Sequence, residues 1–185
     1  MDDFYPNMIR ELLLVMGDDP EREGLKETPD RVLRSYKELF WGYGQEPASA
    51  FKAFKEDGPR KGMIIIKGIS YFSCCEHHLL PFYGTAFIGY IPNNDTLIGL
   101  SKPARLVRIF SRRLQVQERM TEQIVNAMDF LLQPLGCGCV TKGYHLCSMA
   151  RGVKQERMEM EYSTLRGNFL EEQKVRDEFF SRIPI

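Results

Sequence analysis

The sequence is short of several things, and each shortage closes off a class of function. It carries no net charge, because Lys+Arg and Asp+Glu are equal at 25 each. A polyanion such as a nucleic acid finds no global field here, so anion binding has to come from a local cluster. No run approaches the ~20 consecutive apolar residues of a membrane-spanning helix. The opening Met1-Asp2-Asp3-Phe4 is acidic and lacks the basic and apolar regions of a signal peptide, so a cytosolic location is expected. Cysteines number five, an odd count that argues against a secreted disulfide scaffold. No internal repeat or low-complexity tract is present. What remains is 43% hydrophobic and 27% charged, an ordinary globular composition. The 185 residues suffice for one domain with a core plus an appendage.

Histidine is scarce as well, and its placement is informative. All three histidines fall within Ser73-Cys74-Cys75-Glu76-His77-His78 and His145-Leu146-Cys147, together with three of the five cysteines. Cys75 and His78 are spaced for a tight turn that presents a sulfur and an imidazole to one ion. His145 and Cys147 stand two apart, so on a strand their side chains leave the same face. Cys75, His78 and Cys147 make a Cys2His set, which in catalytic zinc sites keeps a fourth position open for water. His145 is an alternative to Cys147 as third ligand. Histidines left unligated beside the ion, His77 among them, are suited to moving protons near neutral pH. Taken singly, a Cys is usually a small buried hydrophobe and a His a satisfied structural residue. It is the two pairs together, using every histidine, that favour a metal. Cys74, Cys137 and Cys139 read as packing.

The rest of the chain reads as an α+β order. Residues 5–16 carry Ile9, Leu12, Leu13 and Met16 at helical spacing, with Gly17 as a stop. Thr28-Pro29 supplies an N-cap and a first-turn proline for a helix that ends near Gly42. Residues 45–61 are polar and punctuated by Pro and Gly, so the expected division is a helical region with its connection over 1–60 and a main domain over 61–185. Strands are expected over 63–72 and 82–91, with a turn at Pro92-Asn93-Asn94-Asp95 between the second strand and the helices. A helix capped by Ser101 carries Leu106, Ile109, Phe110 and Leu114. Another over 115–132 buries Val116, Met120, Ile124, Ala127, Met128 and Leu131. Strands return over 137–144 and 158–165, and 176–183 closes the chain as a helix. Strand pair, helix pair, strand pair implies an antiparallel sheet with helices on one face. Sheets of so few strands leave edges to cover, so a homo-oligomer is expected.

Two polar clusters add to the histidine segments. Lys102 and Arg105 follow Ser101 at a helix start, where free backbone amides already favour anions, a combination suited to phosphate oxygens. The bland alternative is a solvated helix face. Arg151 follows Cys147 by four residues and adds a cation near the metal. Arg112 and Arg113 read as surface or subunit contacts. In Gln115-Val116-Gln117-Glu118-Arg119, a buried Glu118 carboxylate would accept the N1–H and exocyclic amine of guanine in parallel, a donor pair that adenine lacks. The competing reading is a solvent-facing glutamate.

At these residues the chain resembles the GTP cyclohydrolase I family. The resemblance runs through Cys75-Glu76-His77-His78-Leu79-Leu80-Pro81-Phe82, Ile88-Gly89-Tyr90-Ile91-Pro92 and Gly99-Leu100-Ser101-Lys102. It continues through Arg112-Arg113-Leu114-Gln115-Val116-Gln117-Glu118-Arg119 and His145-Leu146-Cys147, in order from about Thr28 to the C-terminus. It implies a tunnelling-fold (T-fold) enzyme that opens the imidazole ring of GTP, releases carbon 8 as formate and forms 7,8-dihydroneopterin triphosphate. It selects Cys75, His78 and Cys147 as the zinc ligands, zinc serving to acidify the attacking water. It makes His145 the proton donor to the ring nitrogen and His77 a second acid/base. Glu118 and Gln117 match guanine-anchoring positions. Leu100, Ser101, Lys102, Arg105 and Arg151 match substrate contacts around the triphosphate and ribose. Arg31 matches an arginine lent to the triphosphate by a neighbouring subunit. The implied assembly is a ring of ten subunits with sites at subunit interfaces.

One segment departs from the family pattern. Where small and Thr-rich residues are usual, the chain has Glu156-Arg157-Met158-Glu159-Met160-Glu161-Tyr162, bulky and acidic. Two further readings compete with the cyclohydrolase, since one fold hosts several chemistries. A nitrile reductase of the 7-deazaguanine route uses a thioimide-forming Cys and NADPH without zinc, and the two-His, two-Cys set argues against it. A lapsed scaffold with a structural zinc would not need His77, His145 and every phosphate cation.

Overall fold

The computed structural model describes residues 4–55 and 62–184. The acidic start at Met1–Asp3 and the last part of the expected connection, residues 56–61, lie outside the described residues. The chain divides into two compact units between Trp41 and Gly42. This division falls ahead of residue 60 because the segment read as a connection already takes part in the second unit, where Ala53–Lys55 pairs with Thr96–Ile98.

The first unit is a helix pair, α1 (Phe4–Val15) against α2 (Thr28–Leu39). Thr28 is not the cap that its residue type suggests. It is the first helical residue, with Pro29 behind it, and the backbone of Glu27 before it is already near-helical at φ −92°, ψ −4° with no side-chain cap. Arg31 stands on the exposed side of this first turn, ion-paired with Glu27 one turn back.

The second unit runs β1 (Ala53–Lys55), β2 (Ile64–Cys75), β3 (Pro81–Ile91), β4 (Thr96–Ile98), α3 (Ser101–Ser111), β5 (Leu114–Gln115) and α4 (Gln117–Leu132). It continues with β6 (Gly136–His145), α5 (Leu146–Met149), β7 (Glu159–Gly167), α6 (Asn168–Glu171) and α7 (Gln173–Ser181). Its main sheet has the order β5-β2-β3-β6-β7, antiparallel except for β5 beside β2, and β1 with β4 forms a separate ribbon. The α+β order of the sequence is thus observed. Strands β1, β4 and β5 went unread, being too short to show a period of two.

Alternation along β3 sorts the core into two halves. Phe82, Ala86, Ile88 and Tyr90 face α3 and α4, together with Ile69, Tyr71, Leu106, Met120, Ile124 and Met128. Phe87 and Ile91 point the other way, onto Val140, Phe169, Phe179 and Ile183. Helices therefore cover part of both faces, not one, with α6 and α7 closing the second. Gly89 makes that closure possible, since a Cβ there would come within 2.7 Å of the Phe179 ring and 2.9 Å of the Phe169 ring.

The helix start points differ from the sequence reading in a way that matters for the site. Ser101 opens α3 as its first helical residue, not its cap, because Leu100 is already helical at φ −48°, ψ −33°. Because α4 begins at Gln117, its buried stripe runs through Gln117, Met120, Thr121, Ile124, Val125, Met128 and Leu132. Leu131 and Ala127 sit at its margin, and two polar side chains are carried into the interior. Among the described residues no helix is long and apolar enough to cross a membrane.

Truncating Phe179 to Ala should cost about 3–5 kcal/mol, the usual penalty for emptying an aromatic site in a core. A lowered urea midpoint is expected, and an unchanged one would show that α7 does not seal the second face.

Candidate metal centre and active site

The metal centre is built on the turn between β2 and β3. Cys75 N–H donates to the Leu80 carbonyl at 2.9 Å, and the Leu79 and His78 amides both return to the Cys75 carbonyl. Leu79 closes the reversal with a left-handed φ of 55°, a conformation that costs an L-residue about 1–2 kcal/mol. The result is that Cys75 Sγ and His78 Nδ1 stand 3.8 Å apart.

Cys147 arrives from the far end of the sheet, but not as expected. The strand stops at His145, and Cys147 lies in the single helical turn α5, so the two do not share a strand face. It is this turn that brings Cys147 to the pair: the donor atoms of Cys75, His78 and Cys147 lie within 4.8 Å of one another. In a tetrahedral site with Zn–S near 2.3 Å and Zn–N near 2.0 Å, neighbouring donors stand about 3.6–3.8 Å apart. The donor set and its spacing therefore fit a divalent ion with one position left open. Burial, reinforced by the adjacent Cys75, raises the Cys147 thiol above its ordinary value in the metal-free chain. A bound dication reverses that balance by favouring the thiolate. Cys137 and Cys139 are deep in the core, where burial raises both thiols, the former to about 12, and they pack there as expected.

Arg151 does reach the metal centre. Its Nη1 lies 3.1 Å from His78 Nε2 and 3.4 Å from the Cys147 carbonyl, with the side chain otherwise open to solvent.

Two residues that the sequence did not single out hold this turn in place. Glu76 is gripped by Arg119 through both guanidinium nitrogens, and the Arg119 hydrogen bonds hold its carboxyl below the usual range. Arg119 Nε in turn donates to Gln115 Oε1 at 3.1 Å, and the Glu76 amide donates to the Gln115 carbonyl at 3.1 Å. The pair is 43 positions apart, so no local spacing announces it. His77 is exposed, its Nε2 3.9 Å from Glu76 Oε1.

His145 ends β6 directly opposite Phe82, and the two rings stack at 4.6 Å with planes 3° apart. Burial pushes its imidazole below the ordinary histidine value, partly offset by the Glu118 carboxylate. Its Nε2 lies 2.8 Å from Gln117 Oε1. Gln117, matched by resemblance to a guanine contact, is wholly buried instead, its amide nitrogen donating to the Thr141 and Met160 carbonyls at 3.0 Å each. Glu118 is half-buried in the first turn of α4, a favourable place for a carboxylate. Among the described residues no donor is bonded to it, which leaves its oxygens available.

The polar and cationic cluster at the start of α3 lies elsewhere on the chain. Leu100 and Ser101 line a cleft of about 910 Å³ with Ile66, Lys67, Phe72, Arg108 and Arg112 among its other walls. None of the metal ligands, nor His145, Gln117 or Glu118, borders it. Lys102 and Arg105 follow on the same helix. That cleft extends along β2 as far as Phe72, about 10 Å from Cys75 at 3.3 Å per residue. Arg113 is taken up within its own chain, donating to the Gly42 and Gln45 carbonyls over the Phe110 ring.

Sequence comparison agrees with the geometry. The family model described as GTP cyclohydrolase I matches residues 5–184. The chain belongs to the GTP cyclohydrolase I family. Relatives named GTP cyclohydrolase 1 include one from Dehalococcoides mccartyi, 47% identical over 95% of this chain and 93% of its own. Another from Leptospira biflexa is 45% identical over 96% of each. One from Wolinella succinogenes is 43% identical over 95% of this chain and 93% of its own. Among solved structures the chain overlaps the apo archaeosine synthase QueF-Like at a TM-score of 0.48 with 14% identity, covering 60% and 97% of the two chains, too distant to bear on function.

Replacing Arg119 with Ala should free Glu76 and loosen the Cys75–His78 turn. Metal affinity is expected to fall by roughly 10–100-fold, as when an outer partner of a ligand is removed. Competition against a chromophoric chelator reads this out, and an unchanged affinity would remove Arg119 from the account.

Proposed function

We propose that this chain is a zinc-dependent GTP cyclohydrolase, opening the imidazole ring of GTP, releasing carbon 8 as formate and yielding 7,8-dihydroneopterin triphosphate. The observation that carries this reading is the convergence of Cys75, His78 and Cys147 beside His145, in a chain of this family. The chain's three ligands would hold zinc, which when bound supplies a Lewis acid that polarises water for attack on a carbon centre. Around it the protein's own groups do the rest. The open Glu118 carboxylate accepts the guanine N1–H and exocyclic amine in parallel, orienting the purine. His145 holds a proton for the imidazole-ring nitrogen of the substrate, and its stack on Phe82 fixes the ring plane. His77, exposed and close to Glu76, serves the later proton transfers. Arg151 lies within reach of the substrate's anionic portion.

Leu100, Ser101, Lys102 and Arg105 bind the triphosphate and ribose of a substrate whose base lies at another subunit's metal centre. In support, none of the metal ligands, nor His145, Gln117 or Glu118, borders the cleft that Leu100 and Ser101 line. Arg31 of a further subunit completes the cradle. The assembly is accordingly a homo-oligomer, a decamer in this reading, with the outer edges of β5 and β7 as natural seams. The location proposed is the cytoplasm, and neither nucleic acid nor membrane is a partner.

The test is turnover of GTP by the purified protein, followed as formate and as fluorescent neopterin after oxidation. His145→Ala should abolish formate release while leaving the metal bound, and surviving turnover would contradict the proton-transfer role. Glu118→Gln should erode the choice of GTP over ATP. Undiminished discrimination would remove Glu118 as the reader of guanine.

A further inference from the structure

The Gln117 carboxamide is held on both its nitrogen and its oxygen, and its constraint has a direction. Its nitrogen faces the Thr141 carbonyl at 3.0 Å, the Met160 carbonyl at 3.0 Å and Thr141 Oγ1 at 3.2 Å. Two of these are carbonyl oxygens, which only accept. Reversing the amide would set its oxygen against both with no hydrogen between them, in a site wholly closed to water. The two threonines remove any remaining freedom. Thr121 Oγ1 donates to the Gln117 backbone carbonyl at 2.8 Å, and the two threonine hydroxyls lie 2.7 Å apart. With its hydrogen so committed, Thr121 Oγ1 accepts from Thr141, whose Oγ1 shares with the Thr141 carbonyl one of the two Gln117 amide hydrogens. The loop closes with every donor assigned.

The amide oxygen therefore points outward, and its partner is His145 Nε2 at 2.8 Å. An oxygen with no hydrogen requires the ring to donate. Two further features fix the contact. Phe82 stacks on the imidazole and prevents it from tilting away. Gly143 leaves the space that the amide oxygen fills, since a Cβ there would lie 2.5 Å from Gln117 Oε1.

We infer that Gln117 is a positioning residue that holds His145 as the Nε2–H tautomer, so that Nδ1, not Nε2, is the ring nitrogen left for the substrate. The functional half of this inference rests on the proton-transfer role proposed for His145. The tautomer itself rests on geometry alone.

The experiment uses the metal-loaded, full-length oligomer with 15N-labelled histidine. With only three histidines in the chain, ring-nitrogen NMR signals are assignable by single substitution. Wild type is expected to show His145 protonated at Nε2, and Gln117→Met to show a mixture of tautomers. In GTP turnover the same variant should lose on the order of 100-fold in kcat, with KM and the choice of GTP over ATP little changed. Gly143→Ala, which pushes on the amide oxygen without removing it, is the second variant should Gln117→Met fail to assemble, and a tautomer mixture is expected there too. A wild-type His145 protonated at Nδ1 would overturn the inference. So would a Gln117→Met enzyme with intact kcat and altered KM or base choice, which would return Gln117 to direct guanine contact. If no form turns over GTP yet the tautomer shifts as described, the positioning assignment stands and the cyclohydrolase reading falls.

Discussion

The pairing of β3 with β6 runs without a shift from Phe82↔His145 to Ile91↔Gly136, and the reactive end of the molecule depends on it. Because side chains alternate across a strand, a slip of one residue would turn His145 to the opposite face. It would also take Cys147 away from Cys75, since α5 starts where β6 stops. The register is held by burial on both faces: Ile88 and Cys139 pair inside one half of the core, and Phe87 and Val140 inside the other. A sheet packed on both sides has no cheap alternative register, and the metal centre inherits that rigidity although two of its three ligands are not buried.

The acidic segment over 156–162 is accommodated by the same sheet. Strand β7 forms normally, and Glu159 and Glu161 flank Lys142 on the neighbouring strand at 3.9 and 3.4 Å. The Tyr162 hydroxyl donates to Glu122 on α4 at 2.9 Å. What β7 contributes to the site is the carbonyl of Met160, a backbone group that any residue at this position would supply. The unusual side chains therefore change the strand's surface without altering the polar loop beneath His145.

What was legible in the sequence divides along a physical line. Cys75, His78 and Cys147 announce themselves because metal ligation demands particular residue types, and those types are scarce here. The element order was legible because β3 and α4 are long enough for their periods to show. Local detail was less so. Thr28 and Ser101 look like caps by residue type, yet the backbone before each is already helical, so the position that a cap would occupy is one residue earlier. Gln117 is matched only to a guanine-anchoring position, and nothing around it in the sequence signals burial. Only the arrival of Thr141 and Met160 from two strands makes its burial possible. Arg119 and Glu76 meet across 43 positions, and no window short enough to reveal periodicity spans them.

The central claim is that Cys75, His78 and Cys147 hold one zinc ion with a fourth position open. Zinc-edge X-ray absorption on the purified protein tests it most directly. The account requires two sulfur neighbours near 2.3 Å and two lighter ones near 2.0 Å, one of them an imidazole. Four sulfur neighbours, or a spectrum unchanged by Cys147→Ala, would contradict it.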